Sequence, residues 1–302
     1  MNVNNLAPIV LFVYNRLEHT RKTIDALKRN KLAEESDLFI FSDGPKPGQE
    51  EKVHMVREYL KEVTGFHNVS VIERGRNWGL ANSVIAGVTD IVNRYGKIIV
   101  LEDDIVCAPS FLQYMNDSLE KYQLFSKVFS IAGYSYLQER EKEDIPDTYF
   151  LKITCSWSWA TWKDRWEYFD AQASGYRRLT WDCKMRKEFN YGNTYDYYSM
   201  LMAQMKKKPL VSIPFLARKK HLDSWAVRWY WSVFKQGGLT LYPRVSFVKN
   251  IGFDGSGTHC GTSDGMSGRL IMEMLDEDFK YEEIIEEKKW ISDRVKSSLL
   301  NA

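Results

Sequence analysis

Nothing in this sequence is spaced for thiol chemistry. Its four cysteines, Cys107, Cys155, Cys183 and Cys260, are widely separated, so no CxxC pair and no Cys/His cluster at zinc spacing exists. Reduced thiols in a cytosolic protein are the simplest expectation. Long hydrophobic runs are also missing. The opening MNVNNLAPIVLFVYNR has no basic stretch ahead of its apolar residues, and those are too few to cross a bilayer. Neither export nor a membrane span is expected. Charge of one sign is not in excess either: 42 Lys and Arg stand against 40 Asp and Glu, which gives no footprint for nucleic acid. Linkers rich in Gly, Ser or Pro, internal repeats and low-complexity segments are absent. With 302 residues and 44% hydrophobic residues, the chain buries a core without staples. What it has in excess is aromatic: ten Trp and seventeen Tyr, concentrated between residues 149 and 231.

The first 105 residues alternate short apolar runs with amphipathic stretches, the pattern of βαβ units around a mostly parallel sheet. Strands are expected at Ile9–Tyr14, Leu38–Ser42, Val69–Ile72 and Lys97–Leu101. Helices are expected at Leu17–Lys28, Glu51–Val63 and Ala81–Tyr95, each with apolar residues at helical spacing. Ligands in such folds bind beyond the carboxyl ends of the strands, here Asn15 and Arg16, Asp43 and Gly44, Arg74 to Gly79, and Glu102 to Asp104. After residue 105 come a helix over Pro109–Tyr122, a strand over Val128–Ala132 and an aromatic-rich region with more helices than strands. A charged, predominantly helical tail runs from Gly268, with Leu270, Met274, Ile284, Ile285 and Ile291 as its apolar residues. The organisation expected is a lobe over residues 1–135, a second over 136–267 and the tail over 268–302, within one continuous unit.

The run IIVLEDDIVCAPSF sets three carboxylates directly after an apolar strand. Adjacent carboxylates repel unless a cation or hydrogen-bond donors compensate, and a hard divalent ion does so. An acidic turn or a helix start stabilised by acids explains the run equally well when taken alone. Together, however, PIVLFVYNR, FSDG at 41–44, RNWGLANSV at 76–84 and VLEDD at 100–104 resemble, in order and spacing, the nucleotide-sugar half of GT-A-fold glycosyltransferases. The likeness covers roughly the first 135 residues. Within that fold, EDDIVCAPSFLQYM resembles the N-acetylglucosaminyltransferase I branch, which is inverting and metal-dependent, and the chain also resembles bacterial family 2 sugar transferases.

The resemblance implies roles. Asp104 would bind the metal, manganese or else magnesium, Asp103 would face the donor ribose or nucleotide, and Glu102 would support the site. Asp43 would hydrogen-bond the base, and a carboxylate accepting an imide N–H favours a UDP-sugar donor. Arg16 and Arg76 would stand near the phosphates, where a guanidinium suits oxyanions, although either can equally be a surface charge. Asn77 belongs to a loop expected to pass close to the donor.

Two further constellations lie downstream. In CSWSWATWKDRW, residues 155–166, part of the tryptophan cluster is core, while Trp157 and Trp159, at an expected helix entry, would floor an acceptor-side pocket. In HLDSWAVRWYW, Asp223 stands at a helix start with Trp225, a further expected acceptor contact, beside it. Inverting transfer needs a base to take the acceptor hydroxyl's proton. Asp223 is that candidate, simple N-capping is its other explanation, and Asp164 or Glu167 are alternative bases. The Gly-rich loop NIGFDGSGTHCGTSDG carries His259, a candidate contact for metal or diphosphate.

These features suggest an inverting, metal-dependent transferase acting on a nucleotide-sugar and a glycan or lipid-linked glycan in surface-polysaccharide assembly. The expected setting is cytoplasmic, with peripheral membrane contact through Lys206–Lys208 or Arg218–Lys220. A nucleotidyltransferase would carry a Gly-rich phosphate loop after its first strand, and YNRLEHTRK has no glycine. A sugar-binding module without activity is the remaining alternative.

Overall fold

The computed structural model describes residues 6–137, 147–205, 224–255, 275 and 279–300. The ten strands among the described residues are β1 (Ile9–Val13), β2 (Asp37–Ser42), β3 (Asn68–Glu73), β4 (Lys97–Glu102), β5 (Ile105–Cys107), β6 (Val128–Ala132), β7 (Thr148–Leu151), β8 (Trp159–Trp162), β9 (Leu239–Pro243) and β10 (Val248–Asn250). The helices are α1 (Leu17–Lys28), α2 (Glu50–Leu60), α3 (Leu80–Tyr95), α4 (Phe111–Tyr122), α5 (Lys163–Trp166), α6 (Arg178–Trp181), α7 (Cys183–Phe189), α8 (Tyr197–Met205), α9 (Trp225–Lys235) and α10 (Lys289–Leu300).

Eight strands make one sheet in the order β3-β2-β1-β4-β8-β6-β9-β7. The first four are parallel, which forces a crossover between successive strands, and α1, α2 and α3 are those crossovers. Their side chains alternate between two cores, as the period-2 pleat requires. Ile9, Leu11, Leu38, Ile40, Ile99 and Leu101 pack on one face with Ile24 and Leu27 of α1 and Val56 and Leu60 of α2. Val10, Phe12, Phe39, Phe41, Ile98 and Val100 pack on the other with α3 and part of α9. Being covered on both faces, β1, β2 and β4 are almost wholly apolar, as buried parallel strands are, whereas the edge strand β3 is half polar and has no buried residue. The sheet does not stop at residue 135: β8 joins β4 antiparallel, and β6, β9 and β7 follow.

The tryptophan segment departs from expectation. Trp159 does not enter a helix but opens β8, and the helix begins at Lys163. Trp159 is 1% exposed and sits within 6.0 Å, centroid to centroid, of Trp166, Trp225 and Trp229. It is a core residue, not an acceptor platform. Trp225, 3% exposed, is likewise closed off. Antiparallel pairing also places Lys97 opposite Trp162, with the Lys163 N–H donating to Gly96 O at 2.8 Å. Asp164 and Glu167 therefore lie at the amino end of β4, a six-residue strand's length, about 20 Å, from the acidic triplet. That distance removes both as alternative bases. Of the tail, α10 buries Ile291 and Val295, Ile284 is exposed, and Leu270 and Met274 lie outside the described residues.

Trp159→Ala should lower stability by roughly 3–5 kcal/mol, the cost of emptying a large aromatic site, as read by urea unfolding. An unchanged midpoint would show that the residue is not core. A second prediction concerns α4, where Tyr281 donates to Asp117 at 3.4 Å. Burial pushes the Asp117 carboxyl up to about 6, against the opposing hydrogen bond from Tyr281. An acid raised in the folded state binds protons that the unfolded chain has already released, so stability should fall as pH rises from about 4 to 6. Asp117→Asn should remove on the order of 1 kcal/mol of that decline, seen as a flatter midpoint against pH.

Candidate functional site

The parallel half of the sheet gathers the carboxyl ends of β1, β2, β3 and β4 along one edge, and two clusters of polar side chains stand there. The first is built on Arg16. Leaving β1, its Nη2 donates to Asp104 Oδ2 at 2.8 Å and to Asp103 Oδ1, while its backbone carbonyl accepts from Thr20 Oγ1 of α1 at 2.9 Å. Thr23, one turn later, donates through Oγ1 to the Asp103 carbonyl at 2.8 Å. Burial opposes the charge of Arg16, but Asp103 and Asp104 outweigh it and raise its pKa. Burial raises Asp103 even against Arg16. Glu102, at the end of β4, is pushed up to about 8 by burial and then by Asp104 and Asp103, against a hydrogen bond from the Trp225 side chain. Trp225 thus meets Glu102 from the core and is closed to an acceptor.

A second layer closes over this cluster from β10, which pairs antiparallel with β5. The Ile251 N–H donates to Asp104 O at 2.9 Å. Gly252 follows, and a Cβ there would collide with Asp104 Oδ2, so only glycine lets the chain pass. His19 Nε2 lies 3.2 Å from Asp254 Oδ2 and close enough to Asp103 to favour its ionised form. No motif in the sequence marks His19. Its signal is its place on α1, three residues from Arg16.

Whether these residues suit a divalent ion can be tested on the carboxylates themselves. Asp103 Oδ2 is buried with no hydrogen-bond partner, and one guanidinium faces two aspartates and a neighbouring glutamate. Oxygen donors, surplus negative charge and an unpartnered buried oxygen fit a hard cation. Among the described residues, no three His, Cys, Asp or Glu side chains form a metal set. Asp223 and His259 lie outside the described residues.

The second cluster is built on Asp43, at the end of β2 and 6% exposed. Its Oδ1 accepts from the Gly44 N–H at 2.9 Å and the Trp78 N–H at 2.8 Å. Its Oδ2 accepts from the Gly79 N–H at 2.9 Å and Asn77 Nδ2 at 3.1 Å. Four donors fill the lone-pair positions a carboxylate offers. Asp43 is therefore a fastener for the loop before α3, and the expected base-reading role has no oxygen left behind it. Gly44 permits this closure, since a Cβ there would strike the Arg76 backbone. Arg57 of α2, which the sequence reading passed over, seals the same corner: its Nη2 donates to Arg74 O at 2.8 Å and to Asp43 O at 3.3 Å, and its Nε donates to Ser42 Oγ at 3.2 Å. The signal for it is an arginine four residues after Val53 and three before Leu60, on the face turned to the sheet. The exposed Arg76, with Asn77, Trp78 and Asn82, lines an open groove, and the Arg74 guanidinium stacks 3.9 Å from the Trp78 ring centroid.

Trp157 stands apart from both clusters. Its ring packs edge-on against Tyr134 and Phe253, at 4.7 and 5.5 Å, and it lines a cavity of about 170 Å³ with Tyr134, Tyr136, Tyr197 and Tyr230. Burial pushes the Cys155 thiol in that wall up to about 12, which leaves it neutral. Asp43→Asn should cost roughly 1–3 kcal/mol, because an amide nitrogen would meet backbone N–H groups that lose their acceptor. Urea unfolding measures it, and an unchanged midpoint with weakened nucleotide binding would instead restore the base-reading role.

No curated protein matches the chain. Among solved structures, a mannosyltransferase, PcManGT from Pyrobaculum calidifontis in complex with GDP-Man and Mn2+, is 11% identical with a TM-score of 0.36, covering 55% of this chain and 47% of its own. TarS from S. aureus is 9% identical with a TM-score of 0.38, covering 54% and 30%. A UDP-glucose pyrophosphorylase complexed with UDP-glucose is 15% identical with a TM-score of 0.31, covering 54% and 79%. The chain thus spans less than half the length of either transferase, and at these scores the likenesses carry no argument about activity. The family model of glycosyl transferase family 2 matches residues 9–179, more than half of the chain. That match takes in all four strand ends of the site, and the chain belongs to glycosyl transferase family 2.

Proposed function

We propose that the chain moves a sugar, with inversion, from a nucleotide-sugar to a glycan or lipid-linked glycan in surface-polysaccharide assembly, using a divalent ion, manganese or magnesium. The observation that carries this reading is the pair of buried aspartates at the end of β4, bridged by Arg16 and retaining an unpartnered oxygen on Asp103. Asp104 and Asp103 would hold the ion, with His259 as a further contact. When bound, such an ion neutralises charge on the departing diphosphate. Arg16 fixes the two carboxylates relative to each other and brings a positive charge to the phosphate side. Arg76 supplies a second, exposed guanidinium beyond β3.

The donor proposed is a UDP-sugar, read in the groove of Asn77, Trp78 and Asn82. Both asparagines spend their amino groups on the protein, Asn77 on Asp43 and Gly44 and Asn82 on the Trp78 carbonyl. Their side-chain oxygens then remain as acceptors, which suits the imide N–H of uracil. Acceptor sugars are assigned to the aromatic cavity, with Trp157 as the retained acceptor contact in place of Trp159 and Trp225. Asp223 would take the proton from the acceptor hydroxyl while that oxygen attacks the anomeric carbon and the diphosphate leaves from the opposite face. Support comes from its neighbour two residues on, Trp225, whose side chain bonds Glu102. Among the described residues no helix is long and apolar enough to cross a membrane, and a cytoplasmic setting is part of the proposal.

The test is a titration with UDP, GDP and CMP, with and without manganese, repeated on Asp104→Ala. UDP binding should require the metal and weaken at least tenfold in the variant, whose folding circular dichroism verifies. Absence of binding by any nucleotide would leave a sugar-binding module without activity as the better reading.

A further inference from the structure

Residues 176–189 touch neither cluster of the site, and what they turn outward is basic and aromatic. Leu179 of α6 and Phe189 of α7 are fully buried and anchor the segment to the core. Trp181 is 69% exposed, the most of any described aromatic side chain. Arg178 shares its face at a spacing of three, and Arg177, Lys184 and Lys187 are exposed in the same segment. Two acids oppose them, Asp182, which caps α7 by accepting from the Met185 N–H at 2.9 Å, and Glu188. The fifth cation, Arg186, is turned inward onto the carbonyls of Leu179 and Thr180 at 3.0 and 2.9 Å.

An exposed indole alone is ordinary on a soluble surface; here it shares a short segment with four exposed cations. At a membrane the two features belong together, because tryptophan prefers the headgroup level and lysine and arginine are drawn to anionic lipid. We propose that α6 and α7 dock the enzyme on an anionic lipid surface, with Trp181 inserted among the headgroups and Arg177, Arg178, Lys184 and Lys187 on lipid phosphates. The placement is useful for a lipid-linked acceptor: α7 packs on α8, and Tyr197 and Met200 of α8 line the aromatic cavity. Docking itself does not depend on that acceptor assignment.

The experiment is co-sedimentation of the full chain with vesicles of phosphatidylglycerol mixed with phosphatidylcholine, against phosphatidylcholine alone, across a salt series. Binding should need the anionic lipid and weaken with salt. At about five-fold per cation, the double variant R178E/K184E should lose at least 25-fold in partitioning while keeping its UDP binding and its circular dichroism spectrum. Brominated lipid should quench the wild-type tryptophan emission, and Trp181→Phe should remove most of that quenching. Equal binding to neutral vesicles, or to neither, overturns the proposal. So does undiminished binding by the double variant, which would assign the contact to another basic run such as Lys206–Lys208. Full competition by soluble polyphosphate together with indifference to Trp181→Ala would identify a polyanion site instead.

Discussion

One guanidinium between two aspartates sets the terms for the rest of the molecule. Asp103 and Asp104 are consecutive, so their charges cannot separate, and burial makes that proximity more costly than it is in water. Arg16 answers from the end of β1, the strand paired directly with β4, which is the shortest route by which a cation can reach that strand end. The arrangement works only if both strands end in register and α1 starts at once. Thr20 and Thr23 of α1 secure that by bonding the Arg16 and Asp103 carbonyls. Even so, one positive charge does not balance the cluster, and Glu102 responds by holding its proton.

The same edge of the sheet solves a second problem with opposite means. Around Arg16, charges face one another and leave oxygen unspent. Around Asp43 every oxygen is spent, and the carboxylate serves as a rivet between β2 and the start of α3. A negative charge at a helix start is favoured by the helix dipole as well. One cluster thus keeps a carboxylate oxygen open and the other closes all of its own, although both follow an apolar strand in the sequence.

That contrast explains how far the sequence could be read. The parallel half was legible because both-faced burial writes long apolar runs, and the turns of α1, α2 and α3 carry clean helical spacing; strand and helix limits there agree within a few residues. The site was legible as strand ends. Roles within it were not, since nothing local to FSDG announces that the N–H groups of Trp78 and Gly79 converge on Asp43. The tryptophan segment failed for a related reason: β8 is four residues long and buried on both faces, so it shows neither alternation nor length, and its aromatics imitate a helical face. Arg57 and His19 were hidden inside ordinary amphipathic helices, where a polar residue on the inward face was the only clue.

The position of β8 has a consequence for biosynthesis. β4 is synthesised well before the strand that pairs with its far side, and in the interval its Ile98–Leu101 run is an apolar, unpaired edge. An unpaired apolar edge of that kind is prone to edge-to-edge association until its partner strand arrives. That flank closes only when residues 159–162 have left the exit tunnel and can pair with β4, so the stretch between β4 and β8 sets how long the edge stays open.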